Sequence, residues 1–152
     1  MLELLDEPFQ AMVSHAEATY PRECCGAMLG YQRDGRKVVT VAVPLNNSFD
    51  GVQNERYEIN PADLLAADAV ARLRKLDLIG IFHSHPDCDA YFSETDLKNS
   101  CPWFSFVVLS IQSGRFHHAN SFLPDLDQTR ADREELQLPA NAGSPAVQQL
   151  IS

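Results

Sequence analysis

Two histidines two positions apart, His83 and His85, close the apolar run in GIFHSHPDCDAYFSETD (residues 80–96), and Ser93 and Asp96 follow within the same stretch. A neutral imidazole is a good ligand for a borderline-soft divalent ion such as zinc. If residues 83–85 end a strand, both side chains leave from one face, because side chains alternate along a strand with period two. Pro86 stops the strand directly beyond, which puts the pair at the rim of a sheet. An H-x-H pair alone says little, since most such pairs are ordinary surface or core histidines.

The S-E-T-D at 93–96 reads first as a helix start, with Ser93 as N-cap and Asp96 in the place of the usual Glu or Gln of a capping box. That start also fixes a carboxylate at a defined place, so Asp96 is a candidate third, anionic ligand. Two histidines and one aspartate leave a fourth tetrahedral position for water, the mark of a catalytic rather than a structural zinc. A hydrolytic centre of this kind needs a base beside that water. Glu23, in YPRECCG, stands at a helix-to-strand junction next to two cysteines and a glycine, an apolar setting for a carboxylate. Taken alone, such a glutamate is more often an exposed turn residue.

The elements that must position these side chains follow from periodicity. Residues 7–19 predict a helix whose buried face carries Phe9, Met12, Val13 and Ala16, with Asp6 as N-cap and Pro8 in the first turn; Pro21 ends it. CCGAMLGYQ and RKVVTVAVPL predict strands joined through the Asp34-Gly35 turn. ERYEI predicts a short strand ahead of a second helix, capped by Asn60 with Pro61 in its first position. The inward face of that helix is expected along Ala62, Leu65, Ala66, Ala69, Val70, Leu73 and Leu76. DLIGIFHSH is an unbroken apolar run of strand length, expected to be buried on both faces. A short helix over 94–100, a hairpin through Ser113-Gly114 and a last strand in REELQL complete the pattern. The expected fold class is α/β (α+β), with two helices on a mainly antiparallel sheet. Residues 1–138 are expected to form one domain, and residues 139–152 a mobile tail.

Of 152 residues, 45% are hydrophobic and 22% charged, as in ordinary soluble domains. The net charge of −9 repels phosphate backbones, which argues against nucleic acid as a ligand. The opening MLELLDEP has no basic segment of the kind that starts a signal peptide, and no apolar run is long enough to span a bilayer, so no membrane partner and a cytoplasmic location are expected. Cys24, Cys25, Cys88 and Cys101 lack a C-x-x-C spacing and are expected as free thiols, with Cys24 and Cys25 on opposite strand faces. His15 is expected on a solvated helix face, His117 and His118 as structural residues facing opposite ways, and Trp103 in the core.

Glu23, HSHP at 83–86 and S-x-x-D at 93–96 together closely resemble the JAMM (MPN-plus) metalloprotease motif, with seven residues between His85 and Ser93. The similarity extends through YPRECCGAMLG, YEINPADLL and LIGIFHSHPD…FSETDL, over roughly residues 2–123, and is strongest to the short prokaryotic members. The resemblance implies a curved mixed β-sheet flanked by helices. It implies one zinc per chain on His83, His85 and Asp96, with Glu23 as general acid/base and Ser93 helping to stabilise the oxyanion. The implied activity is a zinc isopeptidase or peptidase acting at the C-terminus of a ubiquitin-like β-grasp protein that ends in Gly-Gly. The alternative is a non-catalytic MPN scaffold. A homodimer is left open.

Overall fold

The computed structural model describes residues 1–140 and 142. In chain order the elements are β1 (Leu2–Leu4), α1 (Asp6–Thr19), β2 (Cys25–Arg33), β3 (Arg36–Leu45), α2 (Pro61–Leu73), β4 (Asp77–Pro86), α3 (Glu94–Lys98), β5 (Ser105–Gln112), β6 (Arg115–Pro124), β7 (Ala131–Glu134) and β8 (Leu136–Gln137). The strands form one mixed sheet in the order β7-β6-β5-β4-β2-β3-β1-β8. Its two edge strands, β7 and β8, are separated in the chain by Glu135 alone, so the sheet curls until its edges nearly meet. The polar tie across this curl was not foreseen. Lys37 on β3 donates to Ser105 Oγ at 2.7 Å and lies 3.7 Å from Glu134 Oε2, while Ser121 Oγ donates to Glu134 Oε1 at 2.9 Å.

The sheet is mixed, as the resemblance implies, and mainly antiparallel, as the pattern predicts. β2 runs antiparallel to β3 and β4, and β5–β6 and β6–β7 are antiparallel, but β4–β5, β1–β3 and β1–β8 are parallel. Strand β1 was missed because three residues directly ahead of a helix are too few to show a period. REELQL divides between β7 and β8 rather than forming one strand. The Asp34-Gly35 hairpin is present, with both residues at positive φ (53° and 76°), as a two-residue turn matched to strand twist requires.

Helix α1 buries Phe9, Met12 and Ala16 against a core built from Leu2, Leu4, Met28, Phe82 and Val107 among others. Its N-cap is Leu5, one residue earlier than expected; Asp6 and Glu7 occupy the first turn, where negative charge complements the helix dipole. Asn60 caps α2 as expected, accepting from the Ala62 N–H at 2.9 Å. The buried face of α2 differs from expectation: Ala67 and Ala71 point inward, while Leu65 is 71% and Leu73 86% exposed. The helix is apolar almost all round, so periodicity does not choose a face, and the small alanines permit the closest approach to the sheet.

ERYEI is a loop rather than a strand. The Asn47 side chain takes the place of a ladder partner, donating to Arg56 O and accepting from the Glu58 N–H. Trp103 is 79% exposed and not in the core. His15 is half-buried rather than solvated. His117 and His118 do not face opposite ways, because the register shift in β6 leaves His117 unpaired and their Nδ1 atoms come within 2.7 Å. The expected mobile tail lies mostly outside the described residues, although Ala142 packs against the α1 core.

Candidate metal centre

Strand β4 lies at the middle of the sheet, between antiparallel β2 and parallel β5. Period-two alternation sends His83 and His85 out of one face, and both are buried. The register pairs Cys25 with His83, and a clamp just before it brings the Glu23 segment to the histidine end of β4. In that clamp the Cys24 N–H donates to Ser84 Oγ at 2.8 Å and the Ser84 N–H donates to Cys24 O at 3.2 Å. The Glu23 backbone is held on its other side too, its N–H by Gln53 O at 2.7 Å and its carbonyl by Asn47 Nδ2 at 3.2 Å. A helix-to-strand junction thus becomes a fixed shelf for a carboxylate that is only 4% exposed.

Ser93 caps α3, and both bonds of the capping box form: the Asp96 N–H donates to Ser93 Oγ and the Ser93 N–H donates to Asp96 Oδ2, each at 3.0 Å. The box does two things at once. It starts a short helix, and it aims Asp96 Oδ2 at the histidines, 3.2 Å from His83 Nε2 and 3.2 Å from His85 Nε2. The two Nε2 atoms are 3.3 Å apart.

These residues fit a metal ion on chemical grounds. His85 Nδ1 lies 3.0 Å from Asp89 O, a pure acceptor, so Nδ1 carries the ring proton and a neutral His85 turns its Nε2 lone pair toward the Asp96 carboxylate. Lone pairs packed against a carboxylate oxygen repel unless a cation lies among them. Bonds of about 2.0–2.1 Å to a tetrahedral zinc give ligand–ligand edges of about 3.3 Å, which the three separations match. Glu23 is part of the same cluster. Asp96 Oδ2 lies 3.2 Å from each Nε2 and is the nearer carboxylate, while the three atoms within 4.8 Å of one another come from Glu23, His83 and His85. Glu23 Oε1 is buried without a hydrogen-bond partner, an open acceptor beside the cluster.

The electrostatics agree. Burial drives the fully enclosed His83 below the ordinary imidazole pKa, and this outweighs the attraction of Asp96. Burial opposes the ionisation of Asp96, while the Ser93 N–H and any positive charge placed among the two imidazoles favour it and lower its pKa. An imidazolium at His83 would contradict that ring's own burial; neutral imidazoles around an ionised Asp96 are the state we hold to, and a bound cation suits both. The Glu23 carboxyl is raised to about 9, first by burial and then by the charges of Asp96 and Glu55.

The structure therefore brings Glu23, His83, His85, Ser93 and Asp96 into one site. It adds residues that sequence reasoning passed over. Tyr57 is buried and stacks on His83, ring centroids 4.5 Å apart and planes 26° apart. Tyr91 sets its ring edge-on to His85 at 4.9 Å. His118 Nε2 accepts from the Ala90 N–H and so steadies the loop that carries Asp89, a structural role as expected. A ring stacked on a ligand from a loop 26 positions away leaves no local pattern to find it by.

Two depressions flank the cluster. One, of about 480 Å³, is polar and includes Glu23, Glu55, His85, Asp87, Tyr91 and Ser93 in its lining. The other, of about 360 Å³, is largely apolar and reaches the histidines through Tyr57; Ile59, Leu64, Ile81, Phe104 and Phe106 line it. All four cysteines are free thiols, with Cys24 in the α1 core and Cys25 in the core on the opposite face.

Residues 6–122 match the family described as prokaryotic homologs of the JAB domain. The chain belongs to that family. A desampylase of Haloferax volcanii is 30% identical over 112 residues, which cover 71% of this chain and 78% of that protein. The tail tip assembly protein K of Escherichia phage N15 is 34% identical over 98 residues, 61% of this chain; the chain spans only 35% of that longer protein. The solution structure of a protein from Desulfitobacterium hafniense superposes with a TM-score of 0.80 at 28% identity, covering 91% of this chain and 93% of that one. Among the described residues no helix is long and apolar enough to cross a membrane.

Proposed function

We propose that this JAB-family chain is a zinc-dependent isopeptidase that cuts at the C-terminus of a ubiquitin-like protein, with residues 1–138 as its catalytic unit. The observation that carries the reading is the triangle of His83 Nε2, His85 Nε2 and Asp96 Oδ2, with sides of 3.2–3.3 Å, beside the unpartnered oxygen of Glu23. One zinc per chain would be held by His83, His85 and Asp96. When bound, it supplies Lewis acidity and lowers the pKa of a water to about 7.

The chain's own groups supply the rest. Glu23, anchored through its backbone by Gln53 and Asn47, takes a proton from the attacking water and returns it to the leaving amine. Glu23 is held protonated by burial and by the Asp96 and Glu55 charges, and it would serve as a base with a cation held by His83, His85 and Asp96. Ser93 Oγ already accepts the Asp96 N–H, so its own O–H is free to donate to the oxygen that gains charge. Tyr57 shields one face of His83 from water. The apolar groove beside Tyr57 suits an extended tail, and glycines next to the cut bond let its backbone pass close to the cluster.

The Haloferax volcanii relative is a desampylase, and the ubiquitin-like, Gly-Gly-ended substrate follows from the family resemblance. The alternative, a non-catalytic scaffold, has in its favour the likeness to a phage assembly protein. The five site residues gathered around one point tell against it. To decide, the zinc-loaded protein is incubated with a ubiquitin-like protein bearing a C-terminal extension and with unfolded casein, and the cut sites are found by mass spectrometry. Cleavage directly after Gly-Gly supports the isopeptidase, and efficient casein digestion without that preference contradicts it.

A further inference from the structure

The polar cleft carries more negative charge than hydrolysis requires. Besides Glu23 it is lined by Glu55 and Asp87, and among the described residues no lysine or arginine is part of its lining. The Asp87 charge is fixed in place: Oδ2 accepts from the Tyr20 hydroxyl at 2.6 Å and Oδ1 from the Ser113 N–H at 2.8 Å. Glu55 is exposed and part of the same lining. Glu23, nine-tenths buried, is part of it too, and among the described residues its Oε1 has no hydrogen-bond partner. Tyr91, half-exposed on the same lining, adds an aromatic face of the kind that attracts ammonium and guanidinium groups. The groove on the other side of the cluster has the opposite character, apolar and aromatic.

We propose that the polar cleft seats the amine half of the substrate and selects positively charged acceptor segments, an isopeptide-linked lysine set among further lysines or arginines. This rests on the isopeptidase reading above. The acyl half is a tail that must pass close to the cluster, and the apolar groove suits it. The amine half is the one that becomes an ammonium ion, and the carboxylates of Glu55 and Asp87 with the aromatic face of Tyr91 complement that charge. The net charge of −9 steers basic segments the same way before contact.

The test uses three substrates with one acyl part, a sulfur-carrier-type β-grasp protein ending in Gly-Gly. It is joined to the central lysine of an arginine-rich, a serine/glycine or an aspartate-rich peptide. With zinc-loaded enzyme, kcat/KM for the arginine-rich substrate should exceed that for the aspartate-rich one by about tenfold or more at low ionic strength. The ratio should shrink as salt is added, because exposed charges are screened beyond about 10 Å at 0.1 M. Glu55→Lys should bring the ratio to parity or below. Equal kcat/KM for the three substrates, or a ratio that Glu55→Lys leaves intact, overturns this inference while the isopeptidase reading stands. Cleavage of none of them overturns both.

Discussion

Of the two depressions beside the histidines, one includes His85 in its lining and the other is separated from His83 by Tyr57, and their linings differ in kind. The polar one gathers Glu23, Ser93 and His85, groups that can move a proton or hold developing charge. The apolar one gathers Ile59, Leu64, Phe104 and Phe106, groups that can only bind. The difference divides the labour. Substitutions of Glu23 and Ser93 in the polar cleft should act on kcat, because they remove interactions made in the transition state. Substitutions in the apolar groove should act on KM, because they remove binding common to ground and transition states.

The largest break should come from Glu23→Gln. The amide cannot accept the proton of the attacking water, so kcat should fall by about 10²–10⁴-fold while the fold and the zinc remain. Full turnover in a zinc-loaded Glu23→Gln protein would mean that another group is the base. Ser93→Ala should come next, with a loss in kcat of about a hundredfold, typical of one oxyanion donor. Because Ser93 also caps α3, the same variant should lose about 1 kcal/mol of stability, readable by urea denaturation. A kcat equal to wild type alongside that stability loss would reduce Ser93 to a cap.

The groove should give a smaller and different effect. Leu64→Ser should raise KM for a Gly-Gly-ended substrate by about tenfold with kcat nearly unchanged. A fall in kcat of the size expected for Ser93→Ala would erase the distinction between the two depressions. The smallest effect concerns pH. In chelator-treated protein, Glu23 has its folded pKa raised from 4.5 to about 9, so the folded form keeps a proton that the unfolded chain releases. That contribution is full below the unfolded value and is lost as pH rises toward the folded one. The lowered pKa of His83 acts with the opposite sign, but only up to its ordinary value of 6.5. Melting temperature should therefore decline between about pH 7 and 8.5, and Glu23→Gln should flatten the decline. An identical slope in both proteins would show that Glu23 is not held protonated.

The site was more legible in the sequence than the fold around it. H-x-H on a strand and S-x-x-D at a helix start are local geometries, and local geometry survives into the structure: β4 presents both histidines on one face, and the Ser93 box aims Asp96 between them. Glu23 was legible only through the family spacing, since what brings it to His83 is the Cys25–His83 register and the Cys24–Ser84 clamp, both long-range. Tyr57 was invisible for the same reason. Among the helices, α1 showed its buried face because polar residues interrupt its apolar stripe. Helix α2 did not, because an alanine-rich helix is nearly apolar all round and packing alone chose Ala67 and Ala71 over Leu65 and Leu73. The loop over 55–59 has the composition of a strand, but its backbone is held by the Asn47 side chain, which donates to Arg56 O and accepts from the Glu58 N–H, and by Ser48, whose N–H and hydroxyl donate to Glu58 O.

The metal content of the purified protein tests His83, His85 and Asp96 as zinc ligands most directly. Elemental analysis should find one zinc per chain in the wild type and in Glu23→Gln, and close to none in Asp96→Ala or in the His83→Ala, His85→Ala double variant. Zinc bound at wild-type stoichiometry by the double histidine variant would contradict the ligand assignment, and with it the mechanism built on it.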